Sequence, residues 1–187
     1  LSLHTVRKIF GSAGLRVFHV EELSTHGGSV RVFGCHADDP RTETEIVKKL
    51  LKDEVEAGLQ KQETYSGFQH TADEIKNDLL NFLIEAKRDR KSVIGYGAAA
   101  KGNTLLNYAG VKPDLISFIC DAAPSKQNKF APGTHIPIGS PQLLKNLNPD
   151  FILILPWNLA DEVINNLDNI VPKSTKFVTA IPKVTVY

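Results

Sequence analysis

Ten consecutive residues, Gly95-Tyr96-Gly97-Ala98-Ala99-Ala100-Lys101-Gly102-Asn103-Thr104, carry the strongest chemical signal in this chain. An apolar run, 92–96, precedes most of them, and a helical pattern extends from them to about Tyr108. Small residues between a strand and a helix let an anion approach outward-pointing amides at the positive end of the helix dipole. A phosphate or pyrophosphate is therefore the expected guest. Lys101 adds a point charge and Asn103 a donor. The glycine spacing departs from the dinucleotide pattern, because Gly102 stands five residues beyond Gly97 instead of three. A P-loop fails too, since Asn103 follows Gly102 where a lysine is required. The competing reading gives the glycines only a tight turn and close helix–strand packing.

Asp121 closes the next apolar run, 26 residues after Gly95. An acid near that place binds a ribose hydroxyl in dinucleotide folds, or it caps the following turn; both readings stay open. Three loops lie at or beside strand ends: 125–129 with Lys126 and Lys129, 132–135, and Pro156-Trp157-Asn158. The lysines either reach phosphates or stay in solvent, and Trp157 either stacks on a ring or fills a domain contact. His26 precedes Gly27 and Gly28, where backbone can approach a ligand, whereas His4, His19, His36 and His70 have no partner pattern. A structural hydrogen bond is the expectation for His135. No Ser/His/Asp set, Cys/His pair or metal-ligand spacing is present, so no catalytic residue and no metal ligand is assigned.

These groups need elements to hold them. Leu3, Val6, Ile9 and Phe10 recur at helical spacing, and Gly14 suits the left-handed cap that ends such a helix. Residues 15–20 and 29–35 read as two antiparallel strands, the second alternating Val30 and Val32 against Arg31, Phe33 and Cys35. Thr42 with Glu45, and Thr71 with Glu74, have capping-box spacing ahead of two apolar helical stripes. From Lys91 onward strand and helix signals alternate: strands at 92–96, 115–120, 151–155 and 176–180, with helix starts at Ser140-Pro141 and at Asn158 with Asp161. Such alternation predicts right-handed crossovers and a parallel sheet covered on both faces. The expected class is α/β: a Rossmann-like parallel sheet with flanking helices over 91–187, preceded by a charged helical linker at 38–90 and a partial β-hairpin within 1–37.

The composition closes off several classes. Of 187 residues 42% are hydrophobic and 23% charged, which suits a folded globular chain. Lys+Arg 22 against Asp+Glu 21 leaves +1, so no global field draws this chain to nucleic acid or an anionic membrane surface. No apolar run approaches the roughly 18–20 residues of a membrane span. With no secretion signal either, a cytoplasmic location is expected. Two cysteines, Cys35 and Cys120, do not make a disulfide scaffold or a four-ligand zinc site. The chain contains no Met and starts at Leu1, which reads as a fragment or a processed product.

Three motifs in order, Gly-Tyr-Gly-Ala-Ala-Ala-Lys-Gly-Asn-Thr at 95–104, Pro-Gly-Thr-His-Ile-Pro-Ile at 132–138 and Leu-Pro-Trp-Asn-Leu at 155–159, resemble one family. It is the C-terminal domain of S-adenosylmethionine-dependent sugar C-methyltransferases, which methylate a nucleotide-linked keto-deoxysugar. His26-Gly27-Gly28-Ser29, with Arg31, resembles the final hairpin of the class I methyltransferase domain that precedes it, so 1–37 would be that domain's tail end. Asn128 stands where relatives often carry Gly. The resemblance implies that Gly95, Gly97, Ala98, Ala99, Lys101, Gly102, Asn103, Asp121, Pro156, Trp157 and Asn158 help hold a nucleotide-linked sugar. His26, Gly27, Gly28 and Arg31 would meet it from the methyltransferase side. It further implies that the family's base motif, its zinc cysteines and its S-adenosylmethionine site lie outside this sequence. This chain would then bind no cofactor and have as partners the sugar nucleotide and the rest of its own polypeptide. In the intact enzyme a base would remove a proton beside the sugar ketone, and the enolate carbon would attack the sulfonium methyl. This chain would contribute positioning and be inactive alone. Two other readings are an NAD(P)-binding Rossmann domain of an oxidoreductase and a structural or dimer-forming module.

Overall fold

Ser2 accepts a hydrogen bond from the Thr5 amide and so caps the first helix, α1 (Leu3–Ser12), in the computed structural model, which describes residues 1–25 and 28–187. Ala13 closes that helix and Gly14 follows at φ +71°, a backbone conformation that glycine enters without steric penalty. Strands β1 (Leu15–Leu23) and β2 (Ser29–His36) pair antiparallel, Leu15 opposite His36 and Leu23 opposite Ser29, with a bulge between Val17 and His19. Helix α2 (Glu45–Glu56) starts at Thr44 without a side-chain cap. The capping box expected from Thr42 and Glu45 is therefore replaced. The Thr44 hydroxyl donates instead to the Phe18 carbonyl at 3.2 Å, tying the helix start to β1. Leu3, Val17, Val20 and Val47 form the small core of this unit, and a short helix, α3 (Gln62–Ser66), follows.

The chain divides into two units, Leu1–Gln69 and His70–Tyr187. The charged stretch 38–90 is shared between them. α2 packs on the first core, whereas α4 (Phe68–Arg88) sends Leu79, Leu83 and Ala86 into the second. α4 begins at Phe68, so Thr71 lies inside the helix and the second expected capping box is not a start signal.

In the second unit β3 (Val93–Tyr96), α5 (Ala100–Tyr108), β4 (Ile119–Cys120), β5 (Lys129–Phe130) and β6 (Pro137–Gly139) come first. α6 (Leu144–Leu147), β7 (Phe151–Ile154), α7 (Ala160–Leu167), β8 (Lys176–Thr179) and β9 (Thr185–Val186) follow. The sheet runs β5-β6-β4-β3-β7-β8-β9, its five inner strands parallel and its two edge strands antiparallel. This is the expected Rossmann-like α/β arrangement, with strands β5, β6 and β9 added. They have two or three residues each, too few for an alternating pattern to register, and β6 opens on a proline.

Alternation along the strands separates two cores. Val93, Ile119, Leu153 and Val178 face α4 and α5, while Ile94, Cys120, Ile152, Ile154 and Phe177 face α6 and α7. Full burial of a residue such as Leu83 or Leu153 stabilises by roughly 1.5–3 kcal/mol each. Among the described residues no helix is long and apolar enough to cross a membrane.

Ser92 and Asp150 clamp the leading ends of β3 and β7. The Asp150 carboxylate accepts from the Ser92 amide at 2.8 Å and from its hydroxyl at 3.0 Å. Those bonds hold the Asp150 carboxyl below its ordinary range. A depressed folded pKa stabilises above the unfolded carboxyl value and is lost as pH falls through the folded one. Urea stability should therefore drop below about pH 4, and Asp150→Asn should flatten that drop while lowering stability at neutral pH. An unchanged acid limb in the variant would refute the assignment.

Candidate functional site

The chain reverses its direction of sheet growth at β3. From that strand it builds β4 and β6 on one side, then returns to lay β7 and β8 on the other. In open α/β sheets ligands settle beyond the carboxyl ends of strands near such a point. The loop after β3, the loop after β4 and the turn after β7 all emerge there.

The three glycines of the loop have internal neighbours. A Cβ on Gly95 would stand 3.0 Å from Ile119, on Gly97 2.6 Å from Pro156, and on Gly102 2.5 Å from Leu155. Gly97 also has φ +83°. Their smallness thus lets α5 and the turn after β7 close on the sheet, which is the packing reading of these residues. The amides divide. Gly97 donates to the Cys120 carbonyl, Ala98 to Asp121 and Ala99 to the Gly97 carbonyl, each at 2.7 Å. The first helical bond of α5 runs from Asn103 to Ala99, and no side chain caps the helix. Among the described residues, the amides of Ala100, Lys101 and Gly102 therefore have no protein acceptor. The open amides thus begin at Ala100, past Gly95 and Gly97.

Beside Ala100 lies a cavity of about 830 Å³. Ala98, Ala99, Ala100, Asn103 and Thr104 form one wall, and Ser125, Lys126, Lys129 and Phe130 another, over a floor that includes Ile119, Ile138 and Leu155. The Asn103 side-chain oxygen is enclosed and has no donor among the described residues. An unmade bond of that kind costs about 1–3 kcal/mol unless a ligand or water supplies a donor.

The remaining candidates fall elsewhere. Lys101 turns from the cavity to the turn after β7, where its ammonium donates to the Asn158 side-chain oxygen and lies 4.9 Å from the Trp157 ring centre. Asn158 is thereby engaged inside a 3₁₀ turn, Trp157–Leu159, and the expected cap with Asp161 is absent; α7 starts at Ala160. Asp121 is 6% exposed and accepts from Ala98, Ala123 and Lys126, so both of its carboxylate oxygens have partners. Arg31 pairs with Glu21 at 2.9 Å on the hairpin, and Gly28 has φ +117°. His26 and Gly27 lie outside the described residues. Burial pushes the Cys120 thiol up to about 12, which leaves it protonated and unreactive. No metal-binding cluster occurs among the described residues.

Thr104 and Phe130 are cavity residues that sequence reasoning missed. Thr104 lies one turn into α5, and Phe130 belongs to a two-residue strand that carries no periodic signal. Asn128 has φ +59°. Asparagine tolerates that left-handed conformation.

A model of the C-methyltransferase C-terminal domain matches residues 24–182. The chain belongs to that family. It is also 34% identical over 182 residues to C-methyltransferase NovU of Streptomyces niveus, an alignment covering 97% of this chain and 43% of that relative. This C-methyltransferase C-terminal domain thus spans less than half the length of the relative it matches.

Proposed function

We propose that this C-methyltransferase domain holds a nucleotide-linked keto-deoxysugar for methylation by S-adenosylmethionine, and that it positions the substrate without performing the transfer. The observation that carries this reading is the cavity beside the first turn of α5. The open amide of Ala100, two lysines and the Asn103 side chain line a mostly apolar cavity of a size that suits a nucleotide. The Ala100 amide at the helix start and the lysines suit a diphosphate, and the apolar floor suits a ring. Family membership supports methyl transfer as the activity of the larger protein.

The residues of the 95–104 loop do not fit the methyl donor. An adenosine would need an acid with free oxygens and a glycine face open to it, whereas Asp121 is engaged and Gly97 is covered by Pro156. No chemical step is therefore assigned to this chain. The same two facts weigh against NAD(P) and the oxidoreductase alternative.

Titration with dTDP and separately with NADH, following Trp157 fluorescence and heat release, tests the reading. Saturable dTDP binding is expected, and dTDP at 100 times its Kd should add about 2.7 kcal/mol to stability. A response to NADH with none to dTDP would overturn the proposal.

A further inference from the structure

Resting on that reading of the cavity, we propose that Lys126 is the side chain that contacts the ligand's phosphate and that Asp121 is the positioning residue that aims it. Sequence position left a ribose hydroxyl or a cap of the following turn open for Asp121; the geometry points to a further role. One oxygen of its carboxylate accepts from the Ala98 amide at 2.7 Å and from the Lys126 ammonium at 3.1 Å. The other accepts from the Ala123 amide at 2.8 Å. Its backbone carbonyl accepts from the Gln127 side chain at 2.9 Å, which fastens the turn that carries Lys126. One buried acid therefore joins the loop after β3, the loop after β4 and a lysine on the cavity wall.

The lysine is suited to the task. Its side chain keeps 44% exposure and lines the cavity while the carboxylate behind it is 8% exposed. An ammonium has three donors, and Asp121 takes one, which leaves two for an oxyanion. A lysine held in one orientation also gives up less rotamer freedom on binding than a free one. Charge balance still favours an anion. Asp121 and Lys126 offset each other, whereas Lys129 donates to the neutral Ser125 carbonyl at 2.7 Å and remains a net positive charge on the same wall.

A double-mutant cycle on the 187-residue chain tests this, with inorganic pyrophosphate and dTDP as probes in calorimetry. Lys126→Gln should weaken both probes about tenfold, and Lys126→Arg, which keeps charge and donors, should stay within about threefold of the native chain. Asp121→Asn should weaken both about fivefold in the native background and less than about twofold beside Lys126→Gln. Equal losses in the two backgrounds would make Asp121 a purely structural brace and overturn the proposal. So would unchanged binding in Lys126→Gln. Should Asp121→Asn fail to fold, the two Lys126 variants decide, and a loss that arginine does not restore counts against the proposal. Pyrophosphate binding with the expected coupling, but dTDP no tighter than pyrophosphate, would leave this inference standing and remove the nucleotide reading. Absence of binding by either probe would remove both.

Discussion

Gly102→Ala is expected to destabilise the second unit by about 2 kcal/mol through overpacking. The sign is the informative part, because the same exchange in an unobstructed helix stabilises by about 1 kcal/mol. Gly102 is buried on α5, and the added carbon would lie 2.5 Å from Leu155 Cβ and 3.4 Å from Leu155 Cα. Those atoms cannot swing away by changing rotamer. Leu155 is itself 1% exposed and donates to the Tyr96 carbonyl at 3.0 Å. Relief must come from α5 lifting off the sheet, which moves Ala98, Ala99 and Asn103 on the cavity wall. Urea denaturation should show the loss, and dTDP affinity should fall with it. A variant as stable as the native chain would mean that α5 does not need this close approach.

The second large effect belongs to the first unit. Glu54 is 8% exposed, and its carboxylate accepts from the Leu3 amide and, at 2.9 Å, from the His4 amide. A charge at the start of α1 thus comes from a residue of α2 fifty positions away. Glu54→Ala removes a charge-assisted pair at the positive end of a helix dipole and leaves two amides short of an acceptor, a loss of about 2 kcal/mol. The core beneath rests on Leu3, Val17, Val20 and Val47, so that loss is a large share of what holds the unit. Hydrogen exchange at the α1 amides should accelerate about thirtyfold while the strands of the second unit keep their protection. Glu54→Gln, which retains an acceptor, should lose about half as much. Unchanged α1 protection in Glu54→Ala would refute the tertiary cap.

Long or strongly patterned segments were legible in advance. The runs 151–155 and 176–180 are near-continuous apolar strands of a buried sheet, and β7 and β8 fall there. Gly14 stands at the left-handed position that its place after α1 calls for. Signals that depend on a single side chain fared worse. Thr42 and Thr71 have the right spacing for capping boxes, yet the helices start at Glu45 and Phe68, because Thr44 finds a partner on β1 and α4 extends upstream. Spacing also says nothing of what a polar residue meets across the fold. Lys101 and Asn103 stand two apart in one motif, but on a helix they point in different directions, one toward Trp157 and the other into the cavity.

For this protein the sequence by itself determined the α/β class, the alternation of strand and helix, and the location of a small-residue loop at a strand end. Periodic burial and glycine chemistry are local properties, repeated often enough to survive single exceptions. Only the tertiary structure decided which glycines serve packing and which amides stay open. It also decided that Asp121 faces Lys126 instead of solvent, and that short strands β5 and β6 complete the cavity wall. Those outcomes depend on distances between residues far apart in the chain, and such distances exist only once the sheet has closed.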